Sequence, residues 1–297
     1  MTPLKTAAAV LILSFCAHLF AAQPAEVIFL AGKGTVTEGM TAKIIEKGMR
    51  ISADAVIKLE KKSVLTVGIG GSTWTIRSDK PVRLSSITVS KPDSSPSPLL
   101  RIFEKTRTLS RTTVLAVRAE KSPDAPEIVW ADEDTKPSSD GGEAERYAKL
   151  AGMLNAGDYS GAARFYANSR NAFGARSADA AYSAGLSSFY LCRYDDAIAI
   201  LKPLCDGAQD QLVRENALFY TAFSLHSLSD YAGSNAFLER FFRTGTKGPS
   251  APYAYYIRGL NYGALGNGEE AQRCFRTIVD TWPSDPIAAD AAECLTK

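Results

Sequence analysis

Histidine is nearly absent from this chain: among 297 residues there are two, His18 and His226. A Ser-His-Asp triad would have to use His226, because His18 lies in an apolar N-terminal run. The five cysteines include no Cys-x-x-Cys pair, so the usual zinc spacing is missing as well. No nucleophile stands beside a base, and no carboxylates are paired for acid–base work. Ala31-Gly32-Lys33-Gly34-Thr35 lacks the glycine spacing of a phosphate loop and lies in a strand pattern, while Gly68-Ile69-Gly70-Gly71 reads as a hairpin turn. Asp195-Asp196 and Glu269-Glu270 are adjacent acids at helix starts, where they suit the helix dipole. The expectation is a protein that is not an enzyme, holds no metal or cofactor and takes no nucleic acid. Beyond the N-terminus no run is long and apolar enough to cross a bilayer.

The N-terminus itself carries Lys5, an apolar run from Ala7 to Phe20, and then Ala21-Ala22-Gln23-Pro24-Ala25, the order of a secretory signal peptide. Residues 1–22 are therefore read as a signal, with cleavage between Ala21 and Ala25 and a periplasmic or secreted mature chain. Phe15 disfavours lipid attachment at Cys16, since a small residue is needed before a modified cysteine. Peripheral association with the envelope remains open. Cys192, Cys205, Cys274 and Cys294 outlast cleavage. Cys274 and Cys294 stand where a pairing is geometrically feasible, and the favoured alternative is four thiols buried as small core residues.

What the chain does have is a repeat. Gly157-Asp158-Tyr159 with Ala162, Cys192-Arg193-Tyr194 with Ala197, Ser229-Asp230-Tyr231 with Ser234, and Gly266-Asn267-Gly268 with Ala271 follow one another at 35, 37 and 37 residues. That is the length of a helix-turn-helix unit. Seven residues before each turn stand Gly185, Ala222 and Gly259, the first copy departing with Leu150, and nine after its first position stand Tyr166, Leu201, Leu238 and Phe275. Small residues let two backbones approach, and the large ones fill the space between them.

This arrangement resembles the tetratricopeptide repeat over residues 144–297, as four repeats with a closing helix over Ile287 to Leu295. The longer period and the end Trp282-Pro283-Ser284-Asp285-Pro286 look like the repeats of bacterial envelope proteins, among them the periplasmic coordinator of the Tol-Pal system and a lipoprotein of the barrel-assembly machine. The resemblance implies that the first helix of each repeat lines a groove. Tyr147, Tyr182, Phe219 and Tyr256, each twelve residues before a turn position, would stand there with Leu186, Phe189, Asn216, Phe223 and Leu260. Such a groove suits a peptide or extended segment of a protein partner. The alternative is that these rings pack between neighbouring repeats. No ladder of Lys, Arg and Asn for a terminal carboxylate is visible.

The N-terminal half alternates with period two, as in residues 55–60 and 63–67, with glycine turns between the runs. A small β-sandwich or roll is expected. Gly34-Thr35-Val36, then Lys47-Gly48-Met49-Arg50-Ile51, then Val64 to Ile76 resemble the extracytoplasmic FecR-type domain. FecR is a membrane-spanning regulator and this chain lacks the span, so the resemblance implies only a β-module that meets other envelope components. Residues 24–119 hold 16 Lys or Arg against 8 Asp or Glu, residues 120–145 hold 2 against 9, and the repeats hold 15 against 15. A basic module would suit anionic cell-wall glycan, unless its charges are simply dispersed and solvating. Leu99 to Leu109 reads as a short amphipathic helix, Thr112 to Val117 as a final strand, and Lys121 to Gly142 as a linker bearing Trp130.

The expected fold class is α+β in separate domains. A FecR-like β domain over 24–119 precedes an acidic linker over 120–143 and a helical solenoid over 144–297. The expected function is a non-catalytic envelope scaffold or adaptor that binds a protein partner through the groove. The alternative is a structural protein bound to cell-wall glycan through the basic β domain.

Overall fold

The computed structural model describes residues 24–87, 97–120, 142–244 and 248–296. The signal-peptide reading over 1–22, most of the linker and Trp130 lie outside the described residues. Two compact units divide the chain, one up to Ser95 and one from Pro96 onward.

The described residues of the first unit form eight short strands: β1 Ala25–Ala31, β2 Gly34–Glu38, β3 Thr41–Ile44, β4 Arg50–Ile51, β5 Val56–Leu59, β6 Val64–Ile69, β7 Ser72–Ile76 and β8 Val82–Arg83. A single turn of helix, α1 Leu84–Ile87, follows. Two four-stranded sheets result, β4-β1-β6-β7 and β3-β2-β5-β8, with every pair antiparallel. Alternation buries Val27, Phe29, Val36, Ile57, Leu59, Leu65, Val67, Trp74 and Ile76 as a core. A register shift interrupts β1 between Val27 and Phe29, and beyond it Phe29 and Leu30 are both buried. The β6–β7 hairpin closes over Gly70 and Gly71, with φ of 57° and 82°. Two successive left-handed residues make the tight turn whose twist matches paired strands, which is why both are glycine.

The second unit begins with α2, Pro98–Glu120. The expected strand over 112–117 is therefore corrected to helix, and the unit boundary falls before α2 rather than at residue 119. β-Branched Thr112, Thr113, Val114 and Val117 favour a strand locally. Leu99, Phe103, Thr106, Leu109, Thr113 and Val117 nonetheless keep a spacing of three and four across the expected break. Once nucleated, a helix gains a hydrogen bond with each added residue.

Four helix hairpins follow: α3 Glu143–Ala156 with α4 Tyr159–Ser169, α5 Ser177–Tyr190 with α6 Tyr194–Leu201, α8 Gln211–Ser227 with α9 Tyr231–Arg243, and α10 Ala251–Ala264 with α11 Gly268–Thr281. A short α7, Leu204–Gly207, precedes α8, and α12, Ile287–Leu295, packs on α11 and α10. The described helical unit is thus a TPR-like stack. Each hairpin turn uses one device. Gly157, Cys192, Ser229 and Gly266 all take positive φ, between 60° and 82°. The amide after each reaches back five residues, Asp158 to Met153, Arg193 to Ser188, Asp230 to Leu225 and Asn267 to Tyr262, at 2.9 Å in every case. This is the Schellman closure, which satisfies carbonyls that the helix end leaves over. Asp158 and Asp230 then cap the next helix by accepting from the amides of Gly161 and Gly233.

The small positions are buried as the repeat requires: Ala162, Ala197 and Ser234 are fully covered and Ala271 nearly so. A methyl group on Gly259 would stand 2.7 Å from the Phe275 ring, and one on Gly185 would collide with Leu201. Glycine there lets the two helices of a hairpin close on one large apolar side chain.

Candidate interaction face

The first helices α3, α5, α8 and α10 carry the nine residues that the repeat pattern assigns to a groove. Tyr147, Tyr182, Leu186, Phe189, Phe219, Phe223 and Tyr256 are each at most 3% exposed. Asn216 and Leu260 are half-buried. The reasons differ along the stack. Phe219 packs on Phe241 of its own hairpin at 6.0 Å, and Tyr256 on Phe275 at 5.4 Å. These two fill the interiors of their own hairpins. Tyr147 lies under the Arg176 guanidinium at 5.2 Å. Tyr182 is buried, and burial first, then the nearby Tyr190 and Tyr147, push its hydroxyl well above the ordinary tyrosine range. The Asn216 side chain donates to the Leu212 carbonyl of its own helix at 2.9 Å.

Phe189 has a different neighbour. Its ring contacts Tyr190, Tyr194, Tyr220 and Phe223 at 5.1 to 5.8 Å, and also Phe103 of α2 at 5.2 Å. Phe103 in turn meets Tyr190 edge-on at 5.4 Å. The chain's own helix α2 therefore lies on the first-helix face, packing against α3, α5 and α12. Leu100, Ile102, Phe103 and Thr106 of α2 are all buried.

Two polar anchors hold it. The Tyr220 hydroxyl donates to the Thr106 carbonyl at 3.1 Å, which leaves the Tyr190 hydroxyl to donate to Tyr220 at 3.2 Å. At the start of α2, Arg101 pairs with Asp290 of α12. The Asp290 carboxylate is 8% exposed. Burial raises its pKa and the Arg101 charge opposes the rise. Tyr256 belongs to the same neighbourhood. Burial, with Cys294 at 3.7 Å and Asp290 beyond, drives its hydroxyl pKa strongly upward.

The repeat pattern missed Arg101, Phe103, Thr106, Tyr190, Tyr220 and Asp290. The amphipathic spacing of 99–109 was visible in the sequence; its destination was not.

His226 lies within the helical unit. Buried between α8 and α10, it faces Asn261 at 2.6 Å. Asn261 donates from its nitrogen to Ser234 at 2.8 Å and Asn235 at 2.9 Å, so its oxygen accepts from His226 Nδ1–H. Burial depresses the His226 pKa, with the Asn261 bond opposing, and the ring is a neutral structural group. Cys192, Cys205 and Cys274 are buried and Cys294 is half-buried, with no disulfide among them. Among the described residues no helix is long and apolar enough to cross a membrane.

No protein-family model matches the chain, and no curated protein does either. Among solved structures, the crystal structure of MamA is similar at 16% identity and a TM-score of 0.39, covering 50% of this chain and 90% of that one. The MamA RS-1 ArsTM double mutant gives 18% and 0.43, covering 54% and 93%. MamA 41-end from Desulfovibrio magneticus RS-1 gives 16% and 0.42, covering 54% and 94%. At these values the likeness carries nothing about function.

Proposed function

We propose that the chain is a non-catalytic scaffold of the cell envelope, which binds a protein partner through the first-helix face of its helical unit. The observation that carries this reading is α2 itself: an amphipathic helix seated on that face through Phe103, Thr106 and Arg101. Helix-in-groove docking is a recurrent mode of protein recognition, and stacks of helix hairpins are built for it. The envelope location rests on the signal-like N-terminus. The FecR-like sequence of the β unit suits contact with other envelope components.

The glycan reading has less charge behind it than the sequence division suggested. Residues 24–95 hold 11 Lys or Arg against 7 Asp or Glu, whereas residues 96–119, which belong to the helical unit, hold 5 against 1. About half of the positive excess therefore lies on α2 and its lead-in.

In-cell crosslinking of the tagged chain tests the proposal, beside versions lacking either unit. A protein partner lost only with the helical unit supports it. Retention in the cell-wall fraction that depends on the β unit, with no protein partner, overturns it. Tyr182 and Phe219 are buried, so replacing either by alanine would cost roughly 3–5 kcal/mol of stability.

A further inference from the structure

We propose that α2 is an exchangeable ligand of the face it covers. A partner's basic amphipathic helix, carrying an arginine two residues before an aromatic ring, takes the same seat after α2 leaves. This rests on the scaffold reading and adds to it the chemistry of the partner and the regulation of the site.

The hairpins are complete without α2. Gly185 closes on Leu201, Phe219 on Phe241 and Tyr256 on Phe275, all within single hairpins. α2 stands outside the repeat period and adds itself across several units, touching α3, α5 and α12 and accepting from Tyr220 of α8. This is how a ligand lies on a solenoid.

The seat also states what it accepts. Asp290 is a nearly buried carboxylate paired with Arg101, and an occupant without a cation there would leave a charge unpaired. Phe189 and Tyr190 present aromatic faces and edges that a ring fills. The Tyr190–Tyr220 hydroxyl pair offers one proton outward, to a backbone carbonyl one turn further on. α2 meets all three with Arg101, Phe103 and Thr106, and it carries five Arg or Lys against two Glu over Pro98–Glu120. Held in cis, it competes at a local concentration on the order of millimolar, so a partner binds the closed chain more weakly than the vacated face.

The test uses the full mature chain and a fluorescent synthetic peptide of residues 97–120, read by anisotropy. Phe103→Asp in the chain should release α2, and the released chain should bind the peptide at least about ten-fold tighter than wild type. Adding Asp290→Asn should remove most of that gain. Circular dichroism checks that the hairpins persist, and Arg101→Glu is the second release variant should Phe103→Asp unfold. Binding no tighter after release overturns the proposal, as does loss of the folded stack in both variants, which would make α2 integral. A wild-type dimer that dissociates on Phe103→Asp would make a second copy the occupant and overturn the partner assignment. In-cell crosslinking separates the two levels. A partner captured equally by wild type and Phe103→Asp leaves the scaffold standing and sinks the exchange, whereas no partner in either sinks the scaffold.

Discussion

Phe189 and His226 occupy the same position in successive repeats, yet they build unlike seams. Each lies near the end of a first helix, and each meets the tyrosine that starts the next one, Phe189 with Tyr194 at 5.8 Å and His226 with Tyr231 at 5.6 Å. Around Phe189 the seam is aromatic and receives Phe103 from α2. Around His226 it is a chain of directed hydrogen bonds, from His226 to Asn261, on to Ser234, and from Ser234 to the Ala222 carbonyl at 2.8 Å. An aromatic seam is strong and tolerant of register because dispersion and burial have little direction. The polar seam stabilises only when every member is paired, so it specifies one alignment of neighbouring hairpins. The lesson is that one repeat position can supply either adhesion or registry.

Removing the ring at Phe189 should have the largest effect. Phe189→Ala is expected to cost about 3–5 kcal/mol in chemical denaturation, through the cavity it leaves. A cost equal to that of His226→Ala would break the contrast between the seams. Next, Asn261→Leu should cost about 1–3 kcal/mol, because buried His226 would lose its acceptor and the Ser234 hydroxyl would lose the donor it accepts from. The diagnostic result is non-additivity with His226→Phe: the double variant should recover part of the loss, since an apolar pair replaces an orphaned polar one.

The polar seam should also respond to acid. His226 is depressed below its ordinary value of about 6.5, so the unfolded chain takes up a proton that the folded chain refuses. Its contribution is fully present above pH 6.5 and is lost progressively as pH falls from there toward the folded value. Thermal melts of wild type and His226→Phe between pH 7.5 and 5 should diverge, with wild type falling further; parallel curves would show that His226 does not report the seam.

Smaller effects lie at the turns. Asp230→Ala removes the acceptor for the Gly233 amide and should cost about 1 kcal/mol, whereas Asn267→Ala, at the equivalent turn position with no side-chain cap, should cost less. Ser229→Gly, at a φ of 65°, should stabilise by about 0.5–1 kcal/mol, since only glycine adopts that conformation without penalty. A destabilising Ser229→Gly would mean that the serine compensates for its strain.

The turns show how much was legible. Gly157, Gly266 and the capping Asp158 and Asp230 are local requirements of a helix end, so spacing alone located all four hairpins. The complementary small and large positions were legible for the same reason. β-Branched residues over 112–117 misled because a strand preference means little without a neighbouring strand to pair with.

The sequence by itself therefore determined the strand alternation, the hairpin period, the turn conformations and the amphipathic character of residues 99–109. These are written in spacings of a few residues, where steric limits and backbone hydrogen bonding act. Only the tertiary structure decided that α2 lies on the first-helix face, with Thr106 and Tyr220 joined across 114 residues. It also decided that Phe219 and Tyr256 face into hairpins, and that His226 pairs with Asn261 while Phe189 receives Phe103. Burial and partnering over such separations depend on which surfaces the folded stack brings together, and no local periodicity encodes that choice.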